Sequence, residues 1–176
     1  SNPAILPTVC GYSCAFSPDG TYLAVGHGPT PFITIYKRSG DTFTKLTDPV
    51  TLPAGASYGC AFSPDGTYLA VGHATSPRIT IYKRSGDTFT KLNDPATLPP
   101  GLGYSCAFSP DGTYLAVAHQ FSPCITIYDM LAANVLAFKS NGSADDLVNA
   151  IKAGFAKESG LADEIKKCAV MWGAST

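Results

Sequence analysis

One stretch of this sequence occurs three times. Tyr12-Ser13-Cys14-Ala15-Phe16-Ser17-Pro18-Asp19-Gly20-Thr21-Tyr22-Leu23-Ala24-Val25 returns almost unchanged from Tyr58 and again from Tyr104, at a spacing of 46 residues each time. Residues 12–57 and 58–103 differ at ten positions, and residues 58–82 and 104–128 at five. Self-similarity at this period restricts the chain to a stacked or circular array of one supersecondary unit.

Each unit reads as four strands. Tyr12 to Phe16 is the first, and Ser17-Pro18-Asp19-Gly20 then turns the chain. Pro presets φ at the second turn position, Asp bonds its own backbone, and Gly accepts a left-handed exit. Thr21 to His27 is the second strand, Phe32 to Lys37 the third and Thr42 to Leu46 the fourth, with Ser39-Gly40 as the last turn. Cys14-Ala15-Phe16 and Tyr22-Leu23-Ala24-Val25 are apolar without clean alternation, as in strands covered on both faces. Asp41-Thr42-Phe43-Thr44-Lys45 is the most polar stretch and suits an outer edge. The expected fold is therefore mainly β: three four-stranded antiparallel propeller blades, at about 12–57, 58–103 and 104–140, forming a segment 1–140. The first strand is innermost.

The unit resembles a WD-repeat blade. Cys14 to Gly20 is similar to that family's first strand and following turn. Leu23-Ala24-Val25-Gly26 and Ile33-Thr34-Ile35-Tyr36 are similar to its second and third strands. Tyr36-Lys37, Tyr82-Lys83 and Tyr128-Asp129 stand where the family has Trp-Asp. No Gly-His pair precedes the first strand and no Asp sits in the loop before the third, so the family's buried hydrogen-bond network is missing.

Propellers close with about four to eight blades. Three leave apolar blade faces open, and such faces drive association. Two copies arranged head-to-tail make six blades and three copies make nine, and the homodimer is the preferred partner arrangement. The alternative is a fragment of a longer propeller, because Asn2 to Pro7 matches the linker Asp94 to Pro99.

After Tyr128 the repeat fades. Val135 to Phe138 keeps the register of a fourth strand, while Met130 to Phe138 also suits a helix capped by Asp129. Ser143-Ala144-Asp145-Asp146 is a helix start, with Leu147, Ile151 and Phe155 on one face. A second short helix begins near Ala162. Residues 141–176 are expected to form a short helical cap or hairpin.

The net charge is −1 and charged residues make up 14% of the chain, so nothing draws nucleic acid or anionic lipid. No apolar run approaches the roughly 20 residues of a membrane span. No signal-peptide pattern opens the sequence. Cys14, Cys60 and Cys106 are repeat-equivalent and read as small buried thiols between blades. The expectation is a soluble, cytoplasmic protein.

No catalytic set emerges, and no cofactor or metal is expected. His27, His73 and His119 each end a second strand and read as structural residues. Differences between copies gather in the loop before the third strand and in the linker before the first strand, which an up-and-down blade places on one face. Phe32, Arg78 and Phe121 in those loops are the candidate ligand or partner contacts. Two functions fit: a non-enzymatic interaction module for a protein partner, or a lectin-like ring for a glycan.

Overall fold

The computed structural model describes residues 2–7 and 10–130. The first blade comprises β1 (Gly11–Phe16), β2 (Tyr22–His27), β3 (Ile33–Ser39) and β4 (Thr42–Lys45). The second comprises β5 (Ser57–Phe62), β6 (Tyr68–His73), β7 (Ile79–Ser85) and β8 (Thr88–Lys91). The third contributes β9 (Gly103–Phe108), β10 (Tyr114–His119) and β11 (Ile125–Asp129). Each sheet is antiparallel, with its strands paired in chain order. The expected strand at 135–138 and the helices beyond 141 lie outside the described residues.

The Ser-Pro-Asp-Gly turns explain why this motif recurs. The Asp19 carboxylate accepts the Ser17 hydroxyl at 2.5 Å and the Thr21 amide at 3.0 Å, while the Ser17 oxygen accepts the Tyr22 amide at 2.8 Å. Gly20 takes φ 67°, a conformation that side chains disfavour. Residues 63–68 and 109–114 repeat this network. The serine hydroxyl, followed by the threonine amide, holds the Asp19 and Asp111 carboxyls down to about 2.

Alternation along the strands gives each blade two faces. One carries Tyr22, Ala24, Ile33 and Ile35, and it packs against Phe62, Leu69, Val71, Tyr82 and Phe89 of the next blade. Ala70, Ile79 and Ile81 repeat the arrangement against Cys106, Leu115, Val117 and Met130. We call these the trailing and leading faces. The repeat cysteines sit at these seams. Cys60 Sγ lies 3.7 Å from the Ala24 carbonyl oxygen and Cys106 Sγ 3.4 Å from that of Ala70. Burial raises both thiols, that of Cys106 to about 12. Cys14, on the uncovered face of the first blade, is exposed.

Close approach at the inner strands requires glycine. A Cβ on Gly59 would lie 2.7 Å from Ser105 Cα and 2.8 Å from the Tyr104 carbonyl oxygen. A Cβ on Gly72 would lie 2.9 Å from the Gly103 carbonyl oxygen. At the outer part of the first seam a polar clamp adds to the apolar contact. The Tyr22 hydroxyl donates to Asp87 at 2.6 Å, Lys37 pairs with Asp87 at 2.9 Å, and the Arg84 guanidinium lies 4.8 Å from the Tyr22 ring centroid. In the third blade Met130 replaces that arginine and is buried in the second seam.

The tyrosines standing where the WD family has tryptophan tie down the linkers. The Tyr36, Tyr82 and Tyr128 hydroxyls donate to the carbonyls of Ile5, Thr51 and Thr97 at 2.9, 2.9 and 3.0 Å. Burial raises all three phenols, that of Tyr128 to about 12.

Gly59→Ala is expected to destabilise the array by about 1–3 kcal/mol, the usual penalty for overpacking. The urea midpoint should fall while the slope stays constant. An unchanged midpoint would show that the inner strands separate freely.

Candidate binding face

The loop after each second strand is built on a buried histidine. His27 Nδ1 donates to the Pro29 carbonyl at 3.0 Å, so Nε2 of the neutral ring accepts the Thr34 hydroxyl at 2.9 Å. The Nε2 atoms of His73 and His119 meet Thr80 and Thr126 at the same 2.9 Å. Thus each histidine pins its strand to the next one, and His27 also holds the loop between them. Burial lowers the His27 ring and brings His73 to about 4. The Thr75 carbonyl near His73 opposes that shift, but it is not aligned for a hydrogen bond to Nδ1.

Each loop then makes one tight turn. Phe32, Arg78 and Cys124 return their amides to Pro29, Thr75 and Phe121 at 2.8, 2.7 and 2.7 Å. A cis bond precedes each turn's proline, at Pro31, Pro77 and Pro123. The residue that follows has positive φ: 66° at Phe32, 71° at Arg78 and 67° at Cys124. A non-glycine residue there costs on the order of 1–3 kcal/mol. Three unlike side chains share this conformation, so the strand ends impose it.

Loops and linkers lie side by side, as the blade topology requires. A Cβ on Gly55 would approach Thr75 Oγ1 to 2.5 Å, and one on Gly101 would approach the Phe121 amide nitrogen to 2.9 Å. Arg78 Nη1 lies 3.5 Å from the Pro100 carbonyl oxygen, and its buried Nε has no hydrogen-bond partner among the described residues. Phe32 and Arg78 occupy one repeat position and are partly buried, whereas Phe121 stands three residues earlier in its loop and is exposed. Across loops 28–32, 74–78 and 120–124 Arg78 is the one charged residue, and the linkers after β4 and β8 open on Asp48 and Asp94, each paired with a lysine.

An aromatic column emerges that sequence reasoning missed. The pairing of β1 with β2 shifts register between Gly11 and Ser13, and β5 and β9 shift at the equivalent places. The extra residue is Tyr12, Tyr58 or Tyr104. A bulge re-aims the side chain it carries, and here the three tyrosines meet. Tyr12 and Tyr58 stack with centroids 5.4 Å apart, and Tyr58 and Tyr104 tilt together at 6.2 Å. Tyr12 Oη would lie 3.1 Å from a Cβ on Gly28, so the column borders the loop face. The signal was present in each first strand, where the tyrosine falls beside a break in alternation.

Among the described residues, no three His, Cys, Asp or Glu gather to hold a metal, and no helix is long and apolar enough to cross a membrane.

A family model described as "WD domain, G-beta repeat" matches residues 8–28, which span β1, its turn and β2. That match and the three antiparallel sheets make the units WD-repeat-like blades. No curated protein matches the chain. Solved structures share the fold. Hydrazine synthase of Kuenenia stuttgartiensis matches with a TM-score of 0.57 at 15% identity, over 71% of this chain and 35% of that one. A putative 6-phosphogluconolactonase of Bacteroides fragilis matches at 0.55 and 22%, over 65% and 33%. The periplasmic gluconolactonase of Pseudomonas aeruginosa matches at 0.56 and 21%, over 71% and 40%. The chain thus spans 33–40% of the length of these three structures.

Stability should fall as the pH drops from 6.5 towards 4. Between those values the unfolded chain takes up a proton that folded His73 refuses, so this contribution is complete above 6.5 and gone near 4. One such group is worth at most roughly 3 kcal/mol. Urea unfolding at pH about 7.5 and about 4.5 measures the loss. His73→Asn should reduce the difference between the two, and an equal difference in wild type and variant would remove His73 as its source.

Proposed function

We propose that the chain is a non-enzymatic interaction module that completes its blade ring head-to-tail with a second copy and presents the loop face to a protein partner. The exposure of equivalent residues carries this reading. Ile33 and Ile79 on covered trailing faces are 0% exposed, whereas Ile125 is 48% exposed. Ile35 and Ile81 are 2% and 6% exposed, whereas Ile127 is 62% exposed. The leading face of the first blade mirrors this, with Phe16 at 54% against Phe62 at 9%. Each isoleucine left in water forgoes about 1.5–3 kcal/mol. The apolar residues of these two open faces are of the types that already pack together at both seams. A second copy supplies the leading face that the third blade lacks.

The low charge of the loop face suits a neutral or weakly charged partner surface, and Phe32, Arg78 and Phe121 are its proposed contacts. Aromatic and arginine side chains dominate protein interfaces when they anchor in pockets. The tyrosine column favours a second reading, a lectin-like ring, because exposed aromatic edges also suit neutral sugars. Two structural neighbours, a putative 6-phosphogluconolactonase and a periplasmic gluconolactonase, raise a third, hydrolysis of a gluconolactone.

Light scattering in reducing buffer should give twice the chain mass, and Ile127→Glu should return the protein to the monomer. A trimer would mean nine blades, and a monodisperse wild-type monomer would overturn ring closure by copies. In the assembled wild type both Cys14 and Cys60 should resist alkylation, and Cys14 should react in the Ile127→Glu variant.

Replacing Phe32, Arg78 and Phe121 together by alanine should weaken partner binding at least tenfold in a titration, since truncated hot spots each cost about 2 kcal/mol or more. Undiminished binding would move the contact elsewhere. Glycan-array binding that is lost in Tyr58→Ala would favour the lectin reading, and gluconolactone turnover by the purified chain would replace both.

A further inference from the structure

We infer that the closing junction carries an intersubunit disulfide, Cys124 of one copy to Cys10 of the other. This rests on the head-to-tail reading above. Cys14, Cys60 and Cys106 belong to the repeat, but Cys10 and Cys124 each occur in one copy of it. The counterparts of Cys10 are Ala56 and Leu102, and those of Cys124 are Phe32 and Arg78. Both thiols are exposed.

The seam between the second and third blades shows where these positions lie. A Cβ on Gly103 would collide with the Arg78 carbonyl oxygen, and Arg78 Nη1 reaches the Pro100 carbonyl at 3.5 Å. Position 78 therefore packs against the segment 100–103 that enters the next blade. One repeat further on, Arg78 becomes Cys124. Two repeats back, Leu102-Gly103 becomes Cys10-Gly11. A junction built like this seam sets Cys124 against Cys10-Gly11 of the incoming copy. Consecutive Cα atoms are about 3.8 Å apart, so Cys10 stands one residue from that contact, and the bond requires its Cα to lie about 4.4–6.8 Å from that of Cys124. Within one chain the two cysteines lie on opposite open faces of the array.

The same junction has lost noncovalent complementarity. Ala118 replaces Gly26 and Gly72, and a methyl at Gly72 would lie 2.9 Å from the Gly103 carbonyl oxygen. The closing seam must therefore open by a few tenths of an ångström. Asp129 stands where Lys37 pairs with Asp87, so it would approach Asp41 of the incoming copy. A covalent tie offsets this weaker fit.

The oxidant is a small-molecule disulfide. One cysteine thiolate attacks it, forming a mixed disulfide and releasing one thiolate. The thiolate of the second cysteine then displaces the other half, and the two protons given up by the cysteines end on the two released thiols. Two electrons pass from the protein to the oxidant for each bond, and a twofold dimer forms two bonds.

The full chain, prepared in reductant and then exposed to oxidised glutathione, is run on a denaturing gel without reductant. The expected result is a covalent dimer that dithiothreitol reverses. It should be lost in the Cys10→Ser/Cys124→Ser variant and kept in Cys14→Ser and Cys168→Ser. Mixing the two single variants should restore one cross-link per dimer, and peptide mapping should join Cys10 to Cys124. Light scattering of the double variant in reductant separates the two readings. A dimer there, with no Cys10–Cys124 bond in the oxidised wild type, overturns the disulfide and leaves the ring. Monomers in reductant, for wild type and variant alike, with no bond on oxidation overturn both. Cross-linking through any other pair also overturns the inference.

Discussion

The contact between the trailing face of one blade and the leading face of the next supports everything else in the array. Each blade carries apolar residues on both faces, and without that contact Ile33 and Ile35 of the first blade and Leu69 and Val71 of the second would stand in water. Two features let the faces meet closely. Gly59 and Gly72 allow backbone to approach backbone where the inner strands converge. The repeat cysteines then fill the remaining space as small, uncharged thiols aimed at a neighbouring carbonyl. The seam is thus an extension of the core, and a face without a partner is a core surface cut open.

Polar groups organise what the apolar contact leaves free. Among the described residues no buried Asp–His–Ser–Trp network like that of the WD family is present, and the histidine–threonine pair links the second and third strands inside each blade. Its geometry requires a neutral imidazole, which burial enforces. Tyrosine hydroxyls tie the linkers to their blades. The backbone of the loop face is therefore held by conserved-in-repeat bonds, while the side chains displayed on it differ from copy to copy. A rigid frame with exchangeable side chains suits recognition.

Much of this was legible in the residues. The 46-residue period marked the units, Ser-Pro-Asp-Gly marked the turns, and strand polarity marked the outer edge, because local backbone preference acts within a few residues. The histidines end their second strands as expected, yet their partners Thr34, Thr80 and Thr126 were not foreseen, since a partner seven residues away is set by cross-strand register. The tyrosine column escaped for a similar reason. A bulge shifts the side-chain period by one, and only the paired strand shows that it is there.

The sequence by itself determined the repeat, the strand order within each blade and the turns, since these depend on local conformation and on a period of two. Only the tertiary structure decided which faces meet. It put Cys60 at a seam and left its counterpart Cys14 exposed, and it covered Ile33 while leaving Ile125 open. Identical residues differ in this way because burial depends on what stands next to a blade, and that is a property of the array.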